Sequence, residues 1–437
     1  MTALPSPPTT IPVPFARTPV APGAAEAVAR VLASGWVTTG PEVGKFEQEF
    51  ATLVQAEQAV AVSSCTAALE LSLRSLRLPP ESAVLVPTVT FCGAVNAVLH
   101  AGLRPVLVDI DPETLMPDER STAAAVQRSG PVAASMVMHH AGHPADVVSL
   151  AAAAGLTPSR VVEDAAHAVG ASLGGRPVGS GPAAATCFSF YATKNLPIGE
   201  GGMVTTADPD LADYVRRCRL HGMSRDAWRR YLPGASWRYT VEEAGLKANM
   251  TDIQAAIGRL QLGRFQKWQQ RRADIAARYD ARLADVPGIV LPARPAGGGH
   301  AWHLYVVQVR PELGVTRDQL IAHLAVRDVG TSVHFVPLHR QPYLVRLLGA
   351  EADPACFPIA EQAAEQFLSL PLYPDLPDEA VDRVCAEIAA LPHPRPRGRA
   401  PKTTVSSPRP LVRAVRPAQV SGQAAFGAPA VVAVAAD

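Results

Sequence analysis

The sequence predicts an α/β fold: a large domain on a mostly parallel seven-stranded sheet between helices, followed by a smaller α+β C-terminal domain. Three observations carry that expectation. From Glu42 to about Asp210, short β-rich runs alternate with helical stretches, the pattern of a layered fold. Near Asn249 a long amphipathic helical pattern begins, and the chain changes character after it. At 437 residues the chain exceeds one minimal core, which favours a large domain plus a smaller one.

In chain order, the candidate strands of the large domain are Ala59–Ser63, Val84–Pro87, Pro105–Ile110, Val132–Met138, Arg160–Glu163, Thr186–Phe190 and Met203–Thr206. Helical patterns at Ala67–Leu76, Gly93–His100 and Asp146–Ala154 lie between several of them. Thr251-Asp252-Ile253-Gln254 then opens the long helix, which runs through Arg272 and Tyr279. Beyond it, Leu304–Val309 and Thr331–Phe335 read as strands, Thr316–Val326 as a helix between them, and Asp378–Leu391 as a closing helix. The expected division is an N-terminal extension (residues 1–22), a large cofactor-binding domain (23–248), an interface helix with the small domain (249–392) and a tail (393–437). The tail is rich in proline, arginine and alanine, a composition that cannot bury enough apolar area to offset chain entropy, so disorder is expected there.

Composition excludes several function classes. Hydrophobic residues make up 48% and charged residues 18%, which supports a buried core. A net charge of +1 leaves no broad footprint for nucleic acid. No apolar run reaches membrane-spanning length, and the proline-rich start lacks the pattern of a secretory signal. Six cysteines without CxxC spacing fit a reducing cytoplasm.

The sequence offers a candidate for each of the four things pyridoxal chemistry needs, an amine, an anion at the ring nitrogen, a phosphate anchor and a flat wall. Lys194 lies just past a buried strand and ahead of Gly199-Glu200-Gly201-Gly202, where desolvation can favour its neutral, nucleophilic amine. Asp164 ends the apolar run Val161-Val162-Glu163, at the strand end where open α/β sheets bind ligands; a helix N-cap is the other reading. Ser63-Ser64-Cys65-Thr66-Ala67 places hydroxyls and small residues between a strand and a helix, a natural anion site, although capping alone also explains them. Ser189 can add a hydroxyl. Phe91 is the wall candidate, with a core role as its alternative. The histidines His139, His140 and His143 lack the HExxH spacing of a zinc hydrolase, so no metal is expected.

The ordered blocks Ser34-Gly35-Trp36-Val37-Thr38-Thr39-Gly40-Pro41, Ser63-Ser64-Cys65-Thr66-Ala67-Ala68-Leu69, Val162-Glu163-Asp164-Ala165-Ala166-His167, Phe188-Ser189-Phe190-Tyr191-Ala192-Thr193-Lys194-Asn195 and Asn249-Met250-Thr251-Asp252-Ile253-Gln254 resemble the DegT/StrS sugar-nucleotide aminotransferases. The resemblance runs from about Pro14 to Leu391. It implies a fold-type-I transferase of the aspartate aminotransferase superfamily, dependent on pyridoxal 5'-phosphate and dimeric, with active sites shared between subunits. By the resemblance, Lys194 is the Schiff-base lysine, Asp164 the partner of the pyridine nitrogen, and His167 a neighbour of the 3-hydroxyl. Thr66, Ala67 and Ser189 match phosphate contacts, Phe91 the stacking ring, and Asn249 a phosphate contact from the neighbouring subunit. Relatives with histidine in place of the lysine dehydrate instead; this chain keeps lysine.

The resemblance also implies the substrates. L-Glutamate is the expected amino donor, in a ping-pong reaction, and a nucleotide-linked keto sugar the acceptor, with a 4-keto sugar on UDP or dTDP preferred. A 3-keto sugar, a keto-cyclitol, or a non-catalytic cofactor-binding regulator are the alternatives. Arg229, in the cationic and aromatic stretch His221–Tyr231, is a candidate for the diphosphate, with a solvated flexible loop as the other reading. His334 and His339, in Thr331-Ser332-Val333-His334-Phe335-Val336-Pro337-Leu338-His339, are candidates on the sugar side, with packing roles as the other reading.

Overall fold

The computed structural model describes residues 11–224 and 238–391. The expected tail at 393–437 and the candidate Arg229 lie outside the described residues. The main sheet has seven strands, β1 (Gln58–Val62), β2 (Ala83–Pro87), β3 (Arg104–Val108), β4 (Ala134–Met138), β5 (Val161–Asp164), β6 (Ala185–Ser189) and β7 (Gly202–Thr206). Their order across the sheet is β1-β7-β6-β5-β4-β2-β3. Strands β3, β2, β4, β5 and β6 pair in parallel, whereas β7 runs antiparallel to both β6 and β1. Every residue of β2, β4, β5, β6 and β7 is buried, which is why these runs read as continuous rather than alternating.

The longer helices, in chain order, are α1 (Ala24–Ala33), α2 (Pro41–Val54), α3 (Cys65–Ser75), α4 (Cys92–His100), α5 (Glu119–Ser129), α6 (Val147–Ala153), α7 (Pro209–Cys218), α8 (Asp252–Leu283), α9 (Arg317–Ala325), α10 (Pro342–Leu348), α11 (Pro358–Ala364) and α12 (Asp378–Ala389). The 32-residue α8 starts where its motif predicts: Thr251 and Gln254 form a reciprocal capping box. Asp252 does something the motif did not reveal. Its carboxylate accepts the amides of Gly40, Glu42 and Val43, capping α2 from a position more than 200 residues away. A side chain at Gly40 would meet that carboxylate and the Trp36 ring at 2.6 Å, so two of the sequence blocks pack directly against each other.

A second sheet of three strands, β8 (Ile289–Val290), β9 (Tyr305–Val309) and β10 (Phe367–Leu370), is antiparallel. The expected strand at Thr331–Phe335 is not one. Only Ser332 bridges to β10, at Ser369, and the place beside β9 belongs to Phe367–Leu370. The reason is tertiary: His334 and Phe335 are drawn into ring contacts with Phe15, Phe91 and His167, and the His334 carbonyl is taken by His140. The N-terminal segment is tied down as well, since Val13 bridges Val329 and Thr18 donates to the Ala192 carbonyl.

Candidate active site

Strands β4, β5 and β6 run parallel, so their carboxyl ends, Met138, Asp164 and Ser189, open at one edge of the sheet. Ligands of such sheets lie beyond that edge. The hairpin from β6 to β7 carries Lys194, whose backbone amide donates to the Tyr191 carbonyl at 2.9 Å. The next residue anchors the loop: Asn195 is buried, its amide nitrogen donates to the Ala301 carbonyl at 2.7 Å, and its oxygen accepts from His303 Nδ1 at 3.1 Å.

Burial lowers the Lys194 pKa to about 8, with Asp164 and Cys65 pulling the other way. A lysine held there has an accessible neutral amine near neutrality, which ordinary surface lysines lack. Asp164 is also buried, and burial raises its pKa despite the Ala166 amide and the Lys194 charge. Both hydrogen bonds its carboxylate accepts among the described residues fall on Oδ1, from the Ala166 amide at 3.1 Å and the Cys65 thiol at 3.8 Å. A buried carboxylate so lightly satisfied is suited to a further cationic donor.

His167 has its tautomer set by the backbone. The Ala141 amide can only donate, and it does so to Nδ1 at 3.2 Å, so neutral His167 carries its proton on Nε2. Burial first, then the Lys194 charge and the neighbouring His303, His140 and His334, push its pKa well below the ordinary value. The ring therefore offers an N–H without a charge. His303 packs at 4.3 Å between ring centroids, and Phe335 stacks on it at 5.8 Å.

The phosphate candidates gather at the start of α3. Ser64 is the N-cap, its hydroxyl accepting from the Ala67 amide at 3.1 Å, so the Ala67 amide already has a partner. The first amides of a helix lack intrahelical acceptors and sit at the positive end of its dipole. Gly202, paired with Ser189, lets this turn approach β7: a Cβ there would lie 2.5 Å from the Ser64 carbonyl carbon. Thr66 lies by α4, where a Cβ on Gly93 would meet its hydroxyl at 2.8 Å and the Phe91 ring at 3.1 Å. Phe91 is 55% exposed, so it is not a core residue and its ring face is open. An amine, a carboxylate awaiting a cation, a neutral N–H, an anion-binding turn and an exposed ring fit pyridoxal phosphate.

Other candidates fall into two groups. His334 borders the site: its Nδ1 bonds Ser369 at 2.9 Å, its neighbour Phe335 reaches Phe91 at 5.9 Å, and burial lowers its pKa to about 3. His339 does not reach it. The ring is 1% exposed, with Nδ1 on Thr88 at 2.6 Å and Nε2 on Glu361 at 2.7 Å, so the packing reading replaces the substrate one. Asn249 bridges Val62 at the end of β1, its amide nitrogen on Thr39 at 2.8 Å and its oxygen accepting from Lys247. It lines an open groove of about 1850 Å³ with Trp36, Thr38 and Lys247, a groove that contains neither Lys194 nor Asp164. Among the described residues no group of His, Cys, Asp and Glu could hold a metal ion.

Sequence reasoning missed Cys65, His303 and Phe335. Cys65 and Phe335 stand inside motifs already singled out, and only their neighbours were chosen; His303 had no local signal.

The chain matches the DegT/DnrJ/EryC1/StrS aminotransferase family over residues 21–389. The spore coat polysaccharide biosynthesis protein SpsC of Bacillus subtilis (strain 168) is 46% identical over 360 residues, spanning 82% of this chain and 91% of that protein. Among solved structures, the PLP form of putative sugar aminotransferase Spr1654 from Streptococcus pneumoniae matches with a TM-score of 0.79 and 30% identity, covering 87% of this chain and 98% of that one. Aminotransferase TlmJ from Streptoalloteichus hindustanus matches with a TM-score of 0.76 and 35% identity, covering 86% and 98%.

Proposed function

Because the chain belongs to the DegT/DnrJ/EryC1/StrS aminotransferase family, we propose that this pyridoxal-phosphate-dependent transferase moves an amino group from L-glutamate to a nucleotide-linked keto sugar. The observation that carries the reading is the Lys194 amine, tuned by burial, sharing one sheet edge with the under-satisfied Asp164 carboxylate. The sugar class is supported by relatives named for polysaccharide biosynthesis and sugar amination. A 4-keto sugar on UDP or dTDP is our preferred acceptor, with the 3-keto isomer and keto-cyclitols as competitors.

When bound, pyridoxal phosphate supplies an aldehyde that joins amines covalently and a ring that delocalises the electron pair left by a departing C–H proton. Thr66, Ser189 and the start of α3 would hold its phosphate, and Phe91 its ring face. Asp164 would keep a proton on the ring nitrogen, and His167 Nε2–H would donate to the ring oxygen. Lys194 Nζ would be the amine that holds the cofactor and, when free, would move the proton at the amine-bearing carbon of donor or acceptor. Donor and acceptor use one site in turn, so the kinetics are ping-pong.

Asn249 is assigned to the partner's site in a homodimer. Its place in a wide groove away from Lys194 supports that assignment. In mixed dimers of Asn249→Ala with Lys194→Ala subunits, one competent site should return; verified mixing without recovery refutes sharing. We place the enzyme in the cytoplasm, supported by six free cysteines; among the described residues no helix is long and apolar enough to cross a membrane.

The substrate reading is tested by offering glutamate with 3-keto and 4-keto nucleotide sugars and weighing the products. A 4-amino sugar nucleotide is expected. Amination of only a 3-keto sugar or a keto-cyclitol displaces the preferred acceptor, and no transfer from glutamate to any of them removes the proposal.

A further inference from the structure

Arg272 sits on α8 with 2% of its surface exposed and no carboxylate paired with it among the described residues. The two hydrogens of its Nη1 are shared among three carbonyls, Leu372 at 3.1 Å, Trp302 at 3.2 Å and His303 at 3.4 Å, while its Nε is buried without a partner. Burial lowers its pKa to about 10, which still leaves it a cation near neutrality. An uncompensated buried charge is costly, so such a residue calls for an explanation beyond packing.

Two of those carbonyls, of Trp302 and His303, belong to a strained turn, and the third, of Leu372, follows β10. Trp302 has a φ of 49°, a left-handed conformation that a bulky residue adopts only when its surroundings impose it. That turn is a hub for the site. Ala301 accepts from Asn195 at 2.7 Å and from Gln269, one helical turn before Arg272, at 2.9 Å. The amides of Ala301, His303 and Leu304 bond the carbonyls of Gly142 and Ala141, and the Ala141 amide in turn sets His167. His303 then reaches Asn195 through Nδ1 and His167 through its ring face.

We propose that Arg272, remote from the reacting atoms, is a positioning residue whose buried guanidinium clamps the Trp302–His303 turn and thereby holds Asn195 and the loop bearing Lys194. The charge has a second effect in the same direction. Burial holds His303 well below its ordinary pKa, and Lys194, Arg272, His334 and His140 all add to that, so His303 stays a neutral donor to Asn195. A neutral long side chain at 272 would supply neither the fan of hydrogen bonds nor the field. The inference rests on Lys194 being the residue that captures the cofactor.

The test separates capture from binding. Pyridoxal phosphate links covalently to Lys194, whereas pyridoxamine phosphate binds the same site without linking. In Arg272→Met, which keeps the length and loses both the charge and the bonds to the three carbonyls, the absorbance-monitored rate of pyridoxal phosphate capture should fall at least tenfold while pyridoxamine phosphate affinity stays within twofold. Asn195→Ala should slow capture too, and the double variant should be no slower than Asn195→Ala alone, because both changes interrupt one line of contacts. Multiplicative losses, or capture within twofold of the parent in Arg272→Met, overturn the proposal. So does an equal loss of affinity for both cofactor forms, which marks a merely structural role. Lys194→Ala distinguishes the premise: if it still captures pyridoxal phosphate, the lysine assignment has failed, whereas if it does not, the other outcomes judge Arg272 alone.

Discussion

The two faces of β5 carry neighbouring carboxylates of equal burial, Glu163 at 3% exposed and Asp164 at 4%, in opposite circumstances. Glu163 has a partner on each oxygen: Oε2 bonds His139 Nε2 at 2.7 Å and Oε1 the Thr186 hydroxyl at 2.8 Å. His139 Nδ1 in turn accepts the Ala145 amide at 2.9 Å, so this face fastens β4, β5, β6 and the following loop into one unit. Asp164 receives one amide and one weak thiol, and faces the Lys194 charge. Burial therefore does not distinguish structure from function here; what separates them is how many of the polar group's demands the protein itself meets.

Four measurements break or sharpen that contrast. The largest effect is expected at the amine that Asp164 faces: Lys194→Ala should lower turnover at least about a thousandfold, the scale of losing a positioned acid–base group, with cofactor still bound noncovalently. Borohydride reduction followed by peptide mapping checks it, and an adduct on any other peptide ends the assignment.

Asp164→Asn should lower kcat by about a hundredfold. Its effect on the cofactor-free protein should be neutral or stabilising near pH 7. The sign follows from the raised pKa: the folded state penalises the ionised form, and a neutral amide lifts that penalty. Glu163→Ala should behave in reverse, costing about 3 kcal/mol of stability by stranding His139 and Thr186, in a denaturant titration. If Asp164→Asn destabilised as much as Glu163→Ala, the contrast between the two faces would be wrong.

The smallest effect is the pH dependence of the cofactor-free protein. Lys194 titrates near 8 when folded against an ordinary 10.5, so the folded state binds its proton less tightly than the unfolded chain. The penalty is present in full below pH 8 and is shed as the pH rises from 8 to 10.5. Lys194→Met should therefore stabilise the cofactor-free protein by about 2 kcal/mol at pH 7, a figure reduced for the part of the side chain open to the cleft, and the gain should shrink toward pH 10.5. A pH-independent difference between variant and parent removes the linkage.

Much of the fold was legible because its signals are local. Buried parallel strands read as unbroken apolar runs, and the Thr251–Gln254 box announces α8. Thr331–Phe335 misled for the complementary reason: β propensity describes a residue that suits a sheet, while ring contacts with Phe15, Phe91 and His167 decided where His334 and Phe335 went. His339 misled in the same way, since proximity to His334 in the chain says nothing about which side of a turn each ring takes.

By itself the sequence determined which residue types stand at the carboxyl ends of β5 and β6, a carboxylate, a hydroxyl and then a lysine before glycines, because strand ends and turns are written in short-range patterns. Only the tertiary structure decided which of those groups are satisfied and which are left wanting. Asn195 meets His303 across 108 positions, His140 meets His334 across 194, and Arg272 reaches the Trp302 turn from a separate helix. Such contacts come from packing distant segments at close range, and desolvation, which sets the charge state of Lys194, Asp164 and His167, exists only once that packing is complete.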